Sequence, residues 1–167
     1  KIEAGTFNFV TGEIDVNQMC HEIINSLQLK VSSQVELRFE EHLPRYIIVA
    51  DKNRLTQVIT NFINNAVKFT AKGYIEIGYE LSADGKSILI SVKDTGKGIP
   101  DDKKEKVFER FQKLDEFAQG TGLGLAICQS IVHTFHGSIS LESEVGVGSK
   151  FTISLPYTPG LELEERT

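Results

Sequence analysis

No apolar run in this chain approaches the roughly 18 to 20 residues needed to cross a bilayer, and the amino terminus lacks the pattern of a signal peptide. A membrane span and an export leader are thereby excluded as readings of these residues, and the chain is expected to be soluble and cytoplasmic. Cysteine is scarce: Cys20 and Cys128 lack metal-ligand spacing and fall in expected helices, which points to reduced, buried thiols and not to a disulfide or a metal cluster. Positive charge is in deficit. The net charge of -5 leaves no electrostatic footprint for nucleic acid, which is excluded as a partner. What is present is ordinary globular material, 25% charged and 40% hydrophobic, in a length of 167 residues that fits one domain with a real core.

The chain is organised around residues 51–70, DKNRLTQVITNFINNAVKFT. At helical spacing Leu55, Val58, Ile59, Phe62, Ala66 and Phe69 share one face, and Arg54, Gln57, Asn61, Asn65 and Lys68 line the opposite one. Two neutral amides one turn apart, then a lysine a turn further on, suit a metal ion and the phosphates it carries. The plain alternative is a solvated polar face. Asparagine is a poor mid-helix residue because its amide competes for the backbone, so Asn61, Asn64 and Asn65 together imply a tolerated local cost.

Around this helix the elements follow from periodicity and punctuation. Residues 7–11 alternate as a strand, and Asp15 caps a helix over residues 16–31 with Met19, Ile23, Ile24 and Leu27 on its apolar side. His21, in that helix, reads as a surface histidine, because Glu22 beside it points about 100° away. Residues 35–40 and 46–49 are expected to form a strand pair feeding the central helix, which Asp51 caps. Residues 74–81 and 87–93 form an antiparallel hairpin about Asp84-Gly85. A helix over residues 123–135, ended by Gly137, leads to a last strand pair, 138–143 and 149–155. About three main helices on one face of a mixed, mostly antiparallel sheet make a two-layer α+β sandwich.

Two glycine runs carry the chemical signal. Residues 88–93 run into Asp94-Thr95-Gly96-Lys97-Gly98-Ile99-Pro100. This can be a plain Asp-Gly turn, yet it also suits a base: the carboxylate can accept from an exocyclic amine, and Gly96 and Gly98 let the backbone close on a flat ring. Gly120-Thr121-Gly122-Leu123-Gly124-Leu125 opens a helix, where unpaired N–H groups and the positive end of the macrodipole receive phosphate oxygens. Neither a P-loop nor a dinucleotide-binding fingerprint is matched, since no Gly-Lys-Ser/Thr closes the run and no βαβ unit precedes it.

In this order, Asn61-x-x-x-Asn65-x-x-Lys68-Phe69, Asp94-x-Gly96-x-Gly98, Phe108-Glu109-Arg110-Phe111, Gly120-Thr121-Gly122-Leu123-Gly124-Leu125 and Gly146-x-Gly148-Ser149 resemble the motif set of sensor histidine kinase catalytic domains. Those domains belong to the superfamily of topoisomerase, chaperone, kinase and mismatch-repair ATPases with the Bergerat fold. The resemblance covers roughly residues 7–157, and five ordered motifs are specific together although each is weak singly. It implies Mg2+ and ATP held by the central helix, with Asn65 the principal metal ligand, Asn61 supporting metal or water, and Lys68 and Phe69 beside the nucleotide. It further implies that Asp94 receives the adenine amine, that Gly96, Gly98 and Ile99 shape the base pocket, and that the run from Gly120 through Thr121, Gly122, Leu123 and Gly124 to Leu125 contacts phosphate. Residues 100–120 become a lid, with Phe111 either a nucleotide contact or a core residue, and Lys113, where the family often has arginine, among the catalytic positions with Asn61 and Lys68.

None of His21, His42, His133 and His136 has the acceptor setting of such kinases, a histidine followed by an acidic residue and soon by proline. The resemblance therefore implies a partner domain bearing that histidine upstream in a parent protein, and a response regulator receiver domain as the next partner. Residues 1–6 read as the end of an upstream dimerisation helix, 7–157 as the catalytic domain, and 158–167 as an acidic tail. The expected reaction is transfer of the γ-phosphoryl group of ATP to histidine. A nucleotide-gated binding module, or a serine kinase of the anti-sigma type, is the alternative.

Overall fold

A computed structural model describes residues 10–40, 47–104 and 121–156, with the side chains of 121–124 excepted. Eleven main elements follow one another among them: β1 (Gly12–Asp15), α1 (Val16–Leu27), β2 (Val35–Phe39), β3 (Ile47–Ala50), α2 (Lys52–Phe69), β4 (Gly73–Leu81), β5 (Ser87–Asp94), α3 (Asp101–Lys104), α4 (Thr121–Thr134), β6 (Ser138–Glu144) and β7 (Gly148–Pro156). The main sheet has the order β2-β4-β5-β7-β6; β1 and β3 form a separate antiparallel pair.

Alternation builds the two layers. Ile75, Ile77 and Tyr79 of β4, Ile88, Ile90 and Val92 of β5, and Phe151, Ile153 and Leu155 of β7 are buried, while their neighbours Glu76, Ser91, Lys93, Lys150 and Thr152 are not. Against the buried face α1 packs on β2, α2 on β4 and β5, and α4 on β6 and α2. The stacked rings of Phe62 and Phe151, 5.2 Å apart, join α2 to the sheet, and a buried bond of 2.6 Å from the Tyr79 hydroxyl to Asn17 Oδ1 does the same for α1.

Both expected caps are present. Asp15 Oδ1 accepts from Gln18 N–H and Asp51 Oδ1 from Arg54 N–H, each at 3.1 Å. Asp51 does more than cap, since its Oδ2 also accepts from Val10 N–H at 2.7 Å and so ties the chain before β1 to the start of α2.

Four expectations are corrected. Residues 35–40 and 46–49 do not form a pair: β2 runs parallel to β4, with Leu37 opposite Ile75 and Phe39 opposite Ile77, and β3 pairs with β1 instead. A parallel partner needs a crossover, and α2 supplies it. The strand expected over 7–11 lies partly outside the described residues; Val10 and Thr11 are not strand, and β1 begins at Gly12, whose register puts Ile14 against Ile48 with both buried. The first helix stops at Leu27, where its apolar stripe ends, and gives way to a 3-10 turn over Gln28–Lys30 that leaves Leu29 fully exposed. Finally, α4 ends at Thr134 with His136, not Gly137, in the left-handed conformation at φ 63°. Gly137 is demanded by space, for a Cβ there would meet the Ser154 carbonyl oxygen at 2.3 Å.

Candidate functional site

Asp94 ends the inward-facing row of β5. The two-residue period that buries Ile88, Ile90 and Val92 delivers a carboxylate, 5% exposed, beneath the helix layer. Its Oδ1 accepts from Gly96 N–H at 2.8 Å and from Ser149 N–H at 3.3 Å. Burial pushes this carboxyl above the ordinary range, and the two N–H bonds offset part of the rise. Among the described residues no donor reaches Oδ2, so one oxygen of a buried carboxylate stays open to a ligand donor.

The turn after Asp94 is pinned at every other residue. Lys97 N–H donates to Phe69 O at 3.2 Å, Gly146 N–H to Lys97 O at 2.8 Å, and Ile99 N–H to Ser143 Oγ at 2.6 Å. Ser143 Oγ in turn lies 2.8 Å from Ser149 Oγ, so two hydroxyls link this turn to the start of β7. The glycines serve these approaches first: a Cβ on Gly96 would meet Phe69 O at 2.3 Å, and one on Gly98, at φ +78°, would meet Glu144 O at the same distance. They shape the pocket by letting the turn sit against α2 and the β6–β7 connection. The result is a cavity of about 360 Å³ walled by Phe69, Gly98, Ile99, Pro100 and Val145, with Lys97 and Lys103 also on its lining. The Lys97 ammonium stands 4.9 Å from the centre of the Phe69 ring.

On α2 the polar stripe flanks the apolar face and does not lie opposite it, which corrects the expected placement. Asn64 is exposed, whereas Asn65 is 5% exposed, because α2 is wedged between the sheet and α4 and its amide-bearing side meets α4 and not water. Asn61, half-buried, donates from Nδ2 to Cys128 Sγ of α4 at 3.5 Å. Lys68 is exposed and Phe69 half-buried. Two fully enclosed oxygens have no hydrogen-bond partner among the described residues, Asn65 Oδ1 and Thr70 Oγ1. Native interiors leave few such atoms, and each marks a place where something else is bound or strain is stored.

The second glycine run enters α4 earlier than periodicity indicates. Thr121, Gly122, Leu123 and Gly124 already form the first helical turn, the turn whose N–H groups lack intrahelical acceptors, and Leu125 is a core residue at 1% exposure. Gly120, Phe111 and Lys113 lie outside the described residues. Sequence reasoning missed Thr70, Ser143 and Cys128: a serine on a sheet edge, a threonine after a helix and a cysteine on an apolar stripe carry no local signal, and their roles come from contacts across elements.

A family model described as histidine kinase-, DNA gyrase B-, and HSP90-like ATPase matches residues 50–159. The chain belongs to this ATPase family. The domain is of the histidine kinase catalytic type, as its relatives are. It is 40% identical over 144 residues to the sensor histidine kinase RcsC of Escherichia coli strain K12, covering 83% of this chain and 15% of that protein. To the autoinducer 2 sensor kinase/phosphatase LuxQ of Vibrio vulnificus strain YJ016 it is 33% identical over 184 residues, 100% of this chain and 21% of that one. The chain thus spans only 15% to 21% of the length of these curated relatives. Among solved structures, the catalytic domain of histidine kinase ThkA in nucleotide-free form superposes with a TM-score of 0.77 at 30% identity, covering 90% of this chain and 99% of that one. Full-length ShkA in complex with AMPPNP gives a TM-score of 0.84 at 29% identity over 93% of this chain and 33% of its own. The α+β sandwich expected from the sequence is the fold of these domains.

Proposed function

We propose that this domain binds ATP with Mg2+ and presents the γ-phosphoryl group to a histidine on a separate dimerisation domain, as one step of two-component signalling. The observation that carries the reading is the buried carboxylate of Asp94, tied through one oxygen and free of donors at the other among the described residues, at the start of the turn whose Gly98 and Ile99 wall a cavity with Phe69. Asp94 Oδ2 accepts the exocyclic amine of adenine, and Phe69 and Ile99 flank the ring.

The donor set fits a magnesium ion. Asn65 Oδ1 is a hard oxygen, enclosed and without a partner among the described residues, and Mg2+ takes one or two such protein oxygens together with phosphates and water. Asn65 is the protein ligand and Asn61 orients water beside it. When bound, the ion neutralises charge on the phosphate oxygens. The N–H groups of Thr121–Gly124 donate to phosphate oxygens at the head of α4, Lys68 faces the phosphates, and Phe111, Lys113 and Gly120, outside the described residues, are assigned to the same site by the motif resemblance. Little covalent work falls to these residues; holding the γ-phosphoryl in line and offsetting its charge is the task.

The acceptor histidine and the receiver domain belong to other parts of a parent protein. One support is that a relative at 33% identity is named hybrid signal transduction histidine kinase D, from Dictyostelium discoideum. Dependence on ATP assigns the domain to the cytoplasm. No helix among the described residues is long and apolar enough to cross a membrane.

Titration calorimetry with ATP, with and without Mg2+, tests binding. Losing one charged, buried hydrogen bond in Asp94→Ala should cost roughly ten- to a hundredfold in affinity. Transfer is tested by mixing the domain with a separate histidine-bearing dimerisation domain and γ-labelled ATP. Acid-labile label on the second protein is the expected result; ATP binding without label transfer in any such pairing would support the binding-module alternative.

A further inference from the structure

The contact between Asn61 and Cys128 joins the polar side of α2 to a core thiol of α4. Cys128, on α4, is fully buried. Its Sγ lies 3.8 Å from the Val58 carbonyl oxygen and 3.5 Å from Asn61 Nδ2, so it meets two groups of α2 spaced three residues apart. The thiol S–H donates to that carbonyl.

That proton has one acceptor among the described residues, the Val58 carbonyl. With its hydrogen committed there, the sulfur can only accept from Asn61. An amide has a donor end and an acceptor end, and its neighbours decide which way each faces. The NH2 end of Asn61 is therefore drawn to the sulfur, and Oδ1 faces away from it. A carboxamide turned the other way would set an oxygen against a sulfur with no proton to offer.

We propose that Cys128 is a positioning residue: it holds the Asn61 amide with its oxygen presented to the nucleotide site, and so couples α4, whose first turn carries Thr121–Gly124, to the metal-binding side of α2. This role rests on the nucleotide reading above. It makes the buried cysteine part of how the magnesium-dependent share of ATP affinity is set, although the thiol touches neither metal nor nucleotide. Ordinary core packing would affect the fold but not this linkage.

A double-mutant cycle separates the two. ATP affinity is measured by calorimetry with and without Mg2+ for the wild-type chain, Cys128→Ala, Asn61→Ala and the double variant, with thermal stability recorded for each. The expected result is that Cys128→Ala lowers affinity roughly three- to tenfold, the worth of one neutral hydrogen bond, only when Mg2+ is present, and has no further effect in the Asn61→Ala background. Cys128→Ser, which keeps a donor and an acceptor in place, should retain most of the magnesium-dependent affinity and covers the case of an unstable alanine variant. In the nucleotide-free chain, the Asn61 side-chain NH2 signals in a proton–nitrogen correlation spectrum should move in Cys128→Ala, a readout that needs no ligand. Equal losses with and without Mg2+, or the same loss in the Asn61→Ala background, would overturn the role and leave the nucleotide reading standing. A wild-type chain that binds no ATP under either condition would sink the nucleotide reading first, and this role with it.

Discussion

Asp94 is a buried carboxylate whose ionisation costs stability. Its carboxyl is raised above the ordinary range by burial, so in the nucleotide-free chain the folded state holds the proton more tightly than the unfolded state does. A raised folded value means that the group's contribution to stability is present at acid pH, below the unfolded value, and is lost as pH rises through the folded one. Near neutral pH the ionised Asp94 therefore costs stability. Asp94→Asn, which keeps an oxygen for the Gly96 and Ser149 N–H groups, should raise the midpoint of thermal unfolding at pH 7 by an amount that vanishes toward pH 4, while weakening ATP binding. A lowered midpoint at pH 7 in an intact fold would contradict the assigned direction. Asn65 and Asn64 supply the matching comparison on α2. One is enclosed with an unpartnered oxygen and its neighbour is exposed, so Asn65→Ala should abolish most of the magnesium-dependent gain in affinity while Asn64→Ala stays within twofold or so of wild type. Calorimetry at fixed Mg2+ decides between them, and equal losses would remove Asn65 from the site.

Among the elements, α2 carries most of the organisation, and its start is fastened by a single side chain. Asp51 caps the helix through Oδ1 and holds Val10 N–H through Oδ2, and at 4% exposure neither bond is easily replaced by water. Asp51→Ala should destabilise the domain by about 2 to 3 kcal/mol, a cap plus a second charged bond, against about 1 kcal/mol for Asp15→Ala at the more exposed start of α1. Chemical denaturation with an unchanged slope measures both; equal losses would mean that the bond to Val10 contributes nothing. The crossover through α2 also explains why β2 and β4 are parallel within a sheet whose other pairs are antiparallel.

At the scale of the whole molecule, the described residues hold parts of the proposed nucleotide site and three of the chain's four histidines, none of them beside it. His21 is exposed on α1 with its ring 5.0 Å from that of Phe39, and His133 and His136 sit at the far end of α4 from Thr121. Phosphoryl transfer needs the nucleophile at near-attack distance from the γ-phosphate. With these three out of reach and none of the four histidines in the acceptor setting, the chain alone should bind Mg-ATP without acquiring phosphohistidine. Incubation with γ-labelled ATP and a test for acid lability checks this, and stoichiometric acid-labile label that disappears in His21→Gln would place the acceptor within these residues.

Local rules made much of this legible. Two-residue alternation marked the strands that became β4, β5, β6 and β7, 3.6-residue periodicity marked the three long helices, and aspartates at helix starts marked both caps, because each signal lies within a few residues and needs no partner to be read. Asp94 stood out as a carboxylate at the end of such a strand. What tertiary structure decided is which surfaces meet. β2 joined β4 and left β3 to β1; Asn65 was turned from a solvated face into an enclosed one; Gly96 and Gly98 were required by backbone carbonyls of α2 and β6; and Thr70, Ser143 and Cys128 acquired their surroundings from elements 20 or more residues away in the chain. Pairing and burial of this kind are set by the fit of distant segments around one core, and a local pattern carries no record of which distant segment it will face.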